Sequence, residues 1–128
     1  EQGVTAMVDL AADHIPWLFS GLVVKQSYLA AHRDVVTRFL KATMEGNYVA
    51  LADERLAKQV LARQTGVTDP KIIDITYTDF KLQTPRDIEA TRAAAQNVLA
   101  NASPGTAGRV EDYVDGGIIE QLNRTAPR

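Results

Sequence analysis

Few side chains in this sequence have the types and spacing that metal binding requires. The two histidines, His14 and His32, do not stand at the short spacings by which a helix or strand brings metal ligands together. Asp9 and Asp13 lie near the first histidine, but a metal site needs more ligands that converge on one point. We therefore expect both histidines to be ordinary turn residues, and we expect no metal and no cofactor.

Nucleophilic chemistry has equally little support. The chain has no cysteine, which excludes disulfides, thiolate metal sites and a cysteine nucleophile. Ser20, Ser27 and Ser103 do not lie in the Gly-x-Ser-x-Gly turn that exposes a serine nucleophile. Gly105 and Gly108 are not followed by the Gly-Lys-Ser/Thr of a phosphate loop, and they come after a predicted helix rather than before one. We expect that the chain is not an enzyme.

The bulk composition is that of a globular chain of single-domain size. Its 128 residues are 45% hydrophobic and 23% charged, with a net charge of −2 and a pI of about 5.6. No basic cluster is present, so nucleic acid is not an expected partner. The longest apolar run, residues 15–24, is interrupted by Pro16 and Gly21 and is too short to span a bilayer.

Two apolar segments near the N-terminus predict β-strands. Residues 3–10 are apolar on both faces of an extended chain, which predicts a buried strand. Residues 21–25 form a short, β-branched run opened by glycine, which also favours a strand over a helix. The segment between them contains Pro16 and is predicted to be a connector. A short turn over Ser27–His32 is expected to follow the second strand.

Helical periodicity with start and stop signals predicts four principal helices, at 34–45, 53–65, 85–102 and 117–123. Gly46 is the predicted stop of the first helix, and Asp53 and Gly66 are the predicted N-cap and end of the second. Thr84 is the predicted cap of the third, with Asp87 in a capping-box position.

The segment after Asp69 and Pro70 has a further helix start signal. Its isoleucines and tyrosine do not decide between helix and strand. We expect a short helix that becomes extended by Phe80.

The stretch from Gly21 to Leu51, followed by the phrase Asp53 to Gly66, resembles the C-terminal part of periplasmic solute-binding proteins of ABC transporters. The most similar group is the NMT1/THI5-like family, which includes sulfonate, taurine, nitrate and thiamine-precursor binders. One departure is Arg33, where the family usually has proline. The matching positions are Gly21, Val23, Val24, Tyr28, Leu29, His32, Asp34, Val35, Val36, Arg38, Phe39, Leu40, Lys41, Ala42, Glu45 and Gly46.

The resemblance implies a fold that is mainly α with a few short β-strands, namely the C-terminal part of one lobe of a type II periplasmic binding protein α/β fold. It divides the chain into crossover or hinge strands at 1–25 and a helical part of the lobe at 26–128. The match spans less than half of a typical family member, and the sequence opens with Glu1-Gln2-Gly3. We therefore expect a C-terminal portion of a longer protein.

The function that the resemblance implies is the capture of a small organic anion or a heteroaromatic precursor by closure of two lobes. The expected partner is the ABC permease, and the expected location is the periplasm or another extracytoplasmic space. Trp17, the only tryptophan, lies in the implied crossover and is the candidate ligand-binding aromatic residue. Ser20 and Gly21 add a hydroxyl and a backbone amide that could face an anionic group.

Two other functions stay open at this point. The first is an enzyme, because the same fold family includes pyrimidine-precursor synthases. The second is a free-standing helical interaction module, a function that the resemblance does not imply. We also expect a homodimer through residues 1–25, because two apolar strands without neighbours in their sheet would expose unpaired backbone groups.

Overall fold

The structure is a computed structural model that describes residues 7, 15–18, 20–84, 88–103, 105–106 and 108–125. Over these residues it contains helices and connecting segments and no β-strand. The helices are α1 (Gln26–Ala31), α2 (Arg33–Ala52), α3 (Glu54–Thr65), α4 (Pro70–Gln83), α5 (Arg92–Ala100), α6 (Val110–Tyr113) and α7 (Gly117–Thr125).

The expected α/β fold is wrong, because the described part of the chain holds no sheet in which a strand could lie. Residues 21–25 are neither helix nor strand, and Val23 is 91% exposed. The strand predicted at 3–10 lies outside the described residues, apart from a bend at Met7. A β-branched run forms a strand only where a neighbouring backbone completes its hydrogen bonds.

The chain divides into two compact units. One comprises residues 1–22 and 90–116, and the other comprises residues 23–89 and 117–128. The predicted division at residue 25, between crossover or hinge strands and the helical part of a lobe, stays a prediction.

The larger unit is built on α2, which contacts α1, α3 and α7, while α3 also contacts α4. Its buried apolar side chains come from three of these helices and form its core. They are Val36, Ile73, Tyr77, Ile118 and Ile119. In the smaller unit α5 contacts α6 and carries two buried alanines, Ala94 and Ala95.

Helix α2 is 20 residues long and continues through Gly46, so the predicted stop at this glycine is wrong. The left-handed conformation of a helix-ending glycine is found instead at Gly66, where φ is 73° and α3 ends as predicted. Glycine permits that conformation without requiring it, and the helix-forming residues on both sides of Gly46 carry α2 onward. The turn predicted at Ser27–His32 is also wrong, because α1 occupies most of it.

Two start signals predicted from local chemistry are confirmed. The Asp53 carboxylate accepts a hydrogen bond from the Leu56 backbone N–H at 2.9 Å, and Asp69 does the same for Lys71 at 2.8 Å, with Pro70 at the first helical position. Helix α4 nevertheless runs to Gln83, so the expected change to extended chain at Phe80 is wrong.

The helix predicted over 85–102 begins later than expected. Helix α5 starts at Arg92, with the Thr91 hydroxyl accepting from the Ala94 N–H at 3.2 Å. Thr84 ends α4, because its N–H donates to the Phe80 carbonyl at 2.9 Å, so it does not cap a following helix. Residues 85–87, including the capping-box position at Asp87, lie outside the described residues.

Candidate functional site

The predicted ligand-binding residues lie on one exposed stretch of the smaller unit. Trp17 is 45% exposed, and Ser20 and Gly21 are exposed as well. The carbonyl of Pro16 accepts a hydrogen bond of 2.8 Å from the side-chain amide of Asn97 in α5, which fixes the backbone beside the tryptophan. A Cβ added at Gly21 would meet no atom within 4 Å, so no close approach requires glycine there. The ligand-binding role of these three residues stays a prediction.

The described residues contain no group of three or more side chains that could hold a metal ion. His32 instead lies against the ring of Tyr28, tilted by 46° and with 4.7 Å between the ring centroids. His14, Asp9 and Asp13 lie outside the described residues. Among the described helices, none combines the length and the apolar character needed to cross a membrane.

A cleft of about 620 Å³ opens between α2, α3 and α4 in the larger unit. This volume lies within the range of small-molecule sites. Most of the lining is aliphatic or aromatic, and polar groups are few. The lining residues are Glu45, Gly46, Val49, Ala50, Leu56, Ala57, Val60, Leu61, Gln64, Thr76, Tyr77 and Phe80.

Tyr77 joins α4 to the end of α2 at this cleft. Its ring is buried, with 3% of the residue exposed, and it stacks on Phe80 with 6.1 Å between centroids. Its hydroxyl donates a hydrogen bond of 3.0 Å to the carbonyl of Ala50. Ala50 lies in the last turn of α2, where the carbonyls run out of backbone N–H partners from the helix. The tyrosine therefore satisfies a carbonyl at a helix end as well as filling the core.

Two lysines lie over the Tyr77 ring and connect α3 to α4. The ammonium groups of Lys58 and Lys81 are 5.5 and 4.9 Å from the ring centroid, within the range of a cation–π contact. Lys58 also pairs with Glu54 at 2.5 Å and with Asp74 at 2.7 Å, and Lys81 is 3.7 Å from Glu54.

These charge pairs change the acidity of both partners. The hydrogen bond from Lys58 lowers the pKa of the Glu54 carboxyl below its usual value. Hydrogen bonds to Asp74 and then to Glu54 raise the pKa of Lys58 above its usual value. Because both lysines already have carboxylate partners, this cluster holds α3 against α4 and is poorly suited to bind an anion.

The cleft itself is suited to apolar groups. Its lining contains a carboxylate, Glu45, and no cationic side chain, so it offers nothing to balance the charge of a small anion. Sequence reasoning missed this cleft, because it ended the first helix at Gly46 and so excluded Val49 and Ala50 from the same helix face. The repeat of apolar residues through Gly46 to Val49 was the signal that could have revealed it.

The chain was compared with protein-family models, with curated proteins and with solved structures, and no significant match was found in any of the three.

Proposed function

We propose that this chain is part of the solute-binding component of an ABC importer, which captures a small molecule outside the cytoplasm and passes it to the permease. The observation that carries the proposal is the sequence pattern from Gly21 to Gly46, followed by the phrase Asp53 to Gly66. The α/β lobe is not part of the proposal, which rests on the pattern and on the chemistry of the residues.

The arrangement of the pattern along the chain supports this proposal. Its apolar opening, residues 21–25, is an exposed connecting segment, while its charged and apolar second half forms α2. The phrase that follows forms α3, which is separated from α2 by the single residue Asp53. The pattern therefore supplies the helix pair α2 and α3 together with an exposed apolar segment. Further residues of a longer polypeptide would cover this segment.

The ligand chemistry favours the stretch at Trp17 over the apolar cleft. A small organic anion or a heteroaromatic ring needs an aromatic face together with hydrogen-bond donors. Trp17 would supply the face, and Ser20 and Gly21, three and four residues later in the chain, would supply a hydroxyl and a backbone amide. The cleft lining contains no cationic side chain that would balance the charge of an anion. Other groups from the longer polypeptide would complete the site, and no catalytic residue is assigned, which favours a binder over a pyrimidine-precursor synthase.

Binding measurements on two polypeptides test the proposal. We expect the present chain alone to bind taurine, nitrate, alkanesulfonates or pyrimidine precursors no better than about millimolar, because most of the site is absent. The polypeptide extended upstream of Glu1 in its own gene should bind one of these at micromolar concentration by calorimetry. In the extended polypeptide Trp17→Ala should weaken that binding at least about tenfold, whereas Leu82→Ala, at an exposed apolar residue of α4, should leave it unchanged.

Two outcomes would contradict the proposal. The first is an upstream reading frame that encodes no solute-binding polypeptide. The second is micromolar binding by the present chain alone that Trp17→Ala leaves intact, because the site would then lie elsewhere in these residues.

A helical interaction module is the second candidate, and the apolar cleft open between α2, α3 and α4 favours it. Such a module binds apolar side chains of a protein rather than a small anion. Saturation of the cleft by an apolar peptide, with no effect of Trp17→Ala, would favour this function.

A further inference from the structure

Helix α2 carries an apolar surface that no described element of the chain covers. Its members recur at alternating spacings of four and three residues, the repeat that places side chains along the seam of a coiled coil. We call them the α2 seam, and they are Val35, Phe39, Ala42, Gly46 and Val49. All five are exposed, with Phe39 at 55%, Val49 at 46% and Val35 at 39%. Val36, on another side of the helix, is buried.

The α2 seam contains a projecting apolar side chain and, further along, an apolar space that such a side chain could fill. Phe39 projects a ring into solvent, while seven residues later Gly46 leaves space above the helix. A Cβ added at Gly46 would meet no atom within 4 Å. Gly46 and Val49 also line the apolar cleft, so a ring placed over Gly46 would contact the cleft as well. A second α2 running in the opposite direction would bring such a ring there.

Two residues of opposite charge lie beside the seam and would face each other in two antiparallel copies. Arg38 and Glu45 flank it two helical turns apart and carry opposite charges. At present Arg38 pairs with Asp34 at 2.9 Å, and Glu45 is 3.8 Å from Lys41, both within α2 and with well-exposed side chains. Exposed pairs of this kind contribute little stability, so each residue can take a new partner at small cost.

One axis of symmetry satisfies all of these contacts. Three pairs of positions are centred at or beside Ala42. They are Phe39 with Gly46, Arg38 with Glu45, and the two ends of the seam. A two-fold axis through Ala42 therefore makes each contact twice, as an interface between identical surfaces requires. The small side chain of Ala42 lets the two helices approach closely at the axis.

We propose that a second copy of this chain docks antiparallel along the α2 seam. Phe39 of each copy lies over Gly46 of the other, and Arg38 of each pairs with Glu45 of the other. The inference uses only α2 and the cleft beside it, so it does not rest on the solute-binding proposal.

Charge reversal tests the contact between the copies. By sedimentation equilibrium the unmodified chain should be a dimer at tens of micromolar. Arg38→Glu or Glu45→Arg alone should weaken dimerisation at least about tenfold, because like charges then face each other twice. The double variant should restore dimerisation to within about threefold of the original. The double variant still contains the repulsions within α2 that each single change creates. A recovery of dimerisation can therefore come only from pairing between copies.

Changes in the seam test the ring and the gap. Phe39→Asp should abolish the dimer, while Leu82→Asp, which changes an exposed apolar residue of α4, should not. Gly46→Leu should keep the helix content measured by circular dichroism, because the added side chain has open space, yet it should also abolish the dimer by filling the gap.

Disulfide trapping tests the direction of the helices in a chain that has no natural cysteine. Oxidised glutathione should cross-link Ala42→Cys across the axis. It should not cross-link Val35→Cys, because the two copies of that residue would be about 21 Å apart along antiparallel helices.

Three results would overturn the proposal. A monomer at several hundred micromolar would mean that no second copy covers the seam, for instance because further residues of a longer polypeptide do. Cross-linking of Val35→Cys as efficient as that of Ala42→Cys would mean parallel pairing. A dimer that survives both Phe39→Asp and Arg38→Glu would place the interface elsewhere, with residues 1–25 as the first candidate.

Discussion

Tyr77 contributes more to the larger unit than its size alone would suggest. Its buried ring fills the space between α2 and α4, its hydroxyl bonds to the Ala50 carbonyl, and two ammonium groups lie over its face. The ring stabilises the unit by burial, whereas the hydroxyl satisfies a carbonyl that the end of α2 leaves without a partner. These two contributions can be separated by substitution.

Removing only the hydroxyl of Tyr77 should lower the free energy of unfolding by about 1 kcal/mol, the net value of one such hydrogen bond. Tyr77→Ala should cost about 3 to 5 kcal/mol, because it also leaves a cavity in the core. Urea unfolding of Tyr77→Phe and Tyr77→Ala measures both effects. Tyr28→Phe is the matched control, because Tyr28 is 45% exposed, and it should change the stability by less than about 0.5 kcal/mol.

Equal stability of Tyr77→Phe and the unmodified protein would show that water replaces the tyrosine at the Ala50 carbonyl without loss. In that case the residue would act through its ring alone.

The Lys58 cluster makes the larger unit sensitive to pH at both extremes. The pKa of Glu54 is lowered chiefly by its hydrogen bond with Lys58, so its contribution to stability is present above the ordinary carboxyl pKa and is lost as the pH falls through the lowered one. The pKa of Lys58 is raised above 10.5, so its contribution is present below that value and is lost as the pH rises through the raised pKa.

Lys58→Met should therefore return the pKa of Glu54 toward its ordinary value and flatten the loss of stability in acid. An NMR titration of the Glu54 side chain and urea midpoints between about pH 3 and pH 6 measure the two effects. Lys41→Met is the control, because Lys41 pairs with Glu45 rather than Glu54. An unchanged pKa of Glu54 in Lys58→Met would mean that the ion pair is not formed in solution.

At the scale of elements, α5 starts seven residues after the predicted start. Sequence predicted Thr84 as the cap, because proline follows it and Asp87 stands in a capping-box position. In the structure α4 extends to Gln83 and ends at Thr84, and Thr91 caps α5.

This difference has a direct test. Thr91→Ala should lower the free energy of unfolding by about 1 kcal/mol, because the Ala94 N–H loses its acceptor. Thr84→Ala should change it by less than about 0.5 kcal/mol, since its backbone N–H, not its hydroxyl, ends α4. Thermal or urea unfolding of both variants measures the contrast, and a larger loss from Thr84→Ala would place the cap at the residue that sequence favoured.

The helix boundaries that sequence predicted correctly are those set by chemistry within a few residues. The predicted start and end of α3 and the predicted start of α4 are confirmed. They are set by the local geometry of Asp53, Gly66 and the pair Asp69-Pro70. Gly46 was misjudged because glycine allows several conformations, and the helical flanks of α2 decided among them.

At the scale of the whole molecule, long-range contacts set the limit of what sequence could predict. A β-branched run such as residues 21–25 becomes a strand only if another segment pairs with it, and nothing within the run states whether one does. The apolar cleft depends on three helices meeting, and sequence predicted two of them too short, α2 at Gly46 and α4 at Phe80. The ligand-binding stretch at Trp17 was predicted from resemblance, and its role awaits the binding measurements proposed above.

One residue, Asp53, is all that separates α2 from α3. It closes the first helix through its N–H, which donates to the Val49 carbonyl at 2.8 Å, and opens the second through its carboxylate. An inserted residue there would turn α3 by about 100° about its axis and swing its apolar face out of the cleft. Evolutionary changes in length should therefore be excluded from this junction and be better tolerated in longer connections, such as residues 66–69 between α3 and α4.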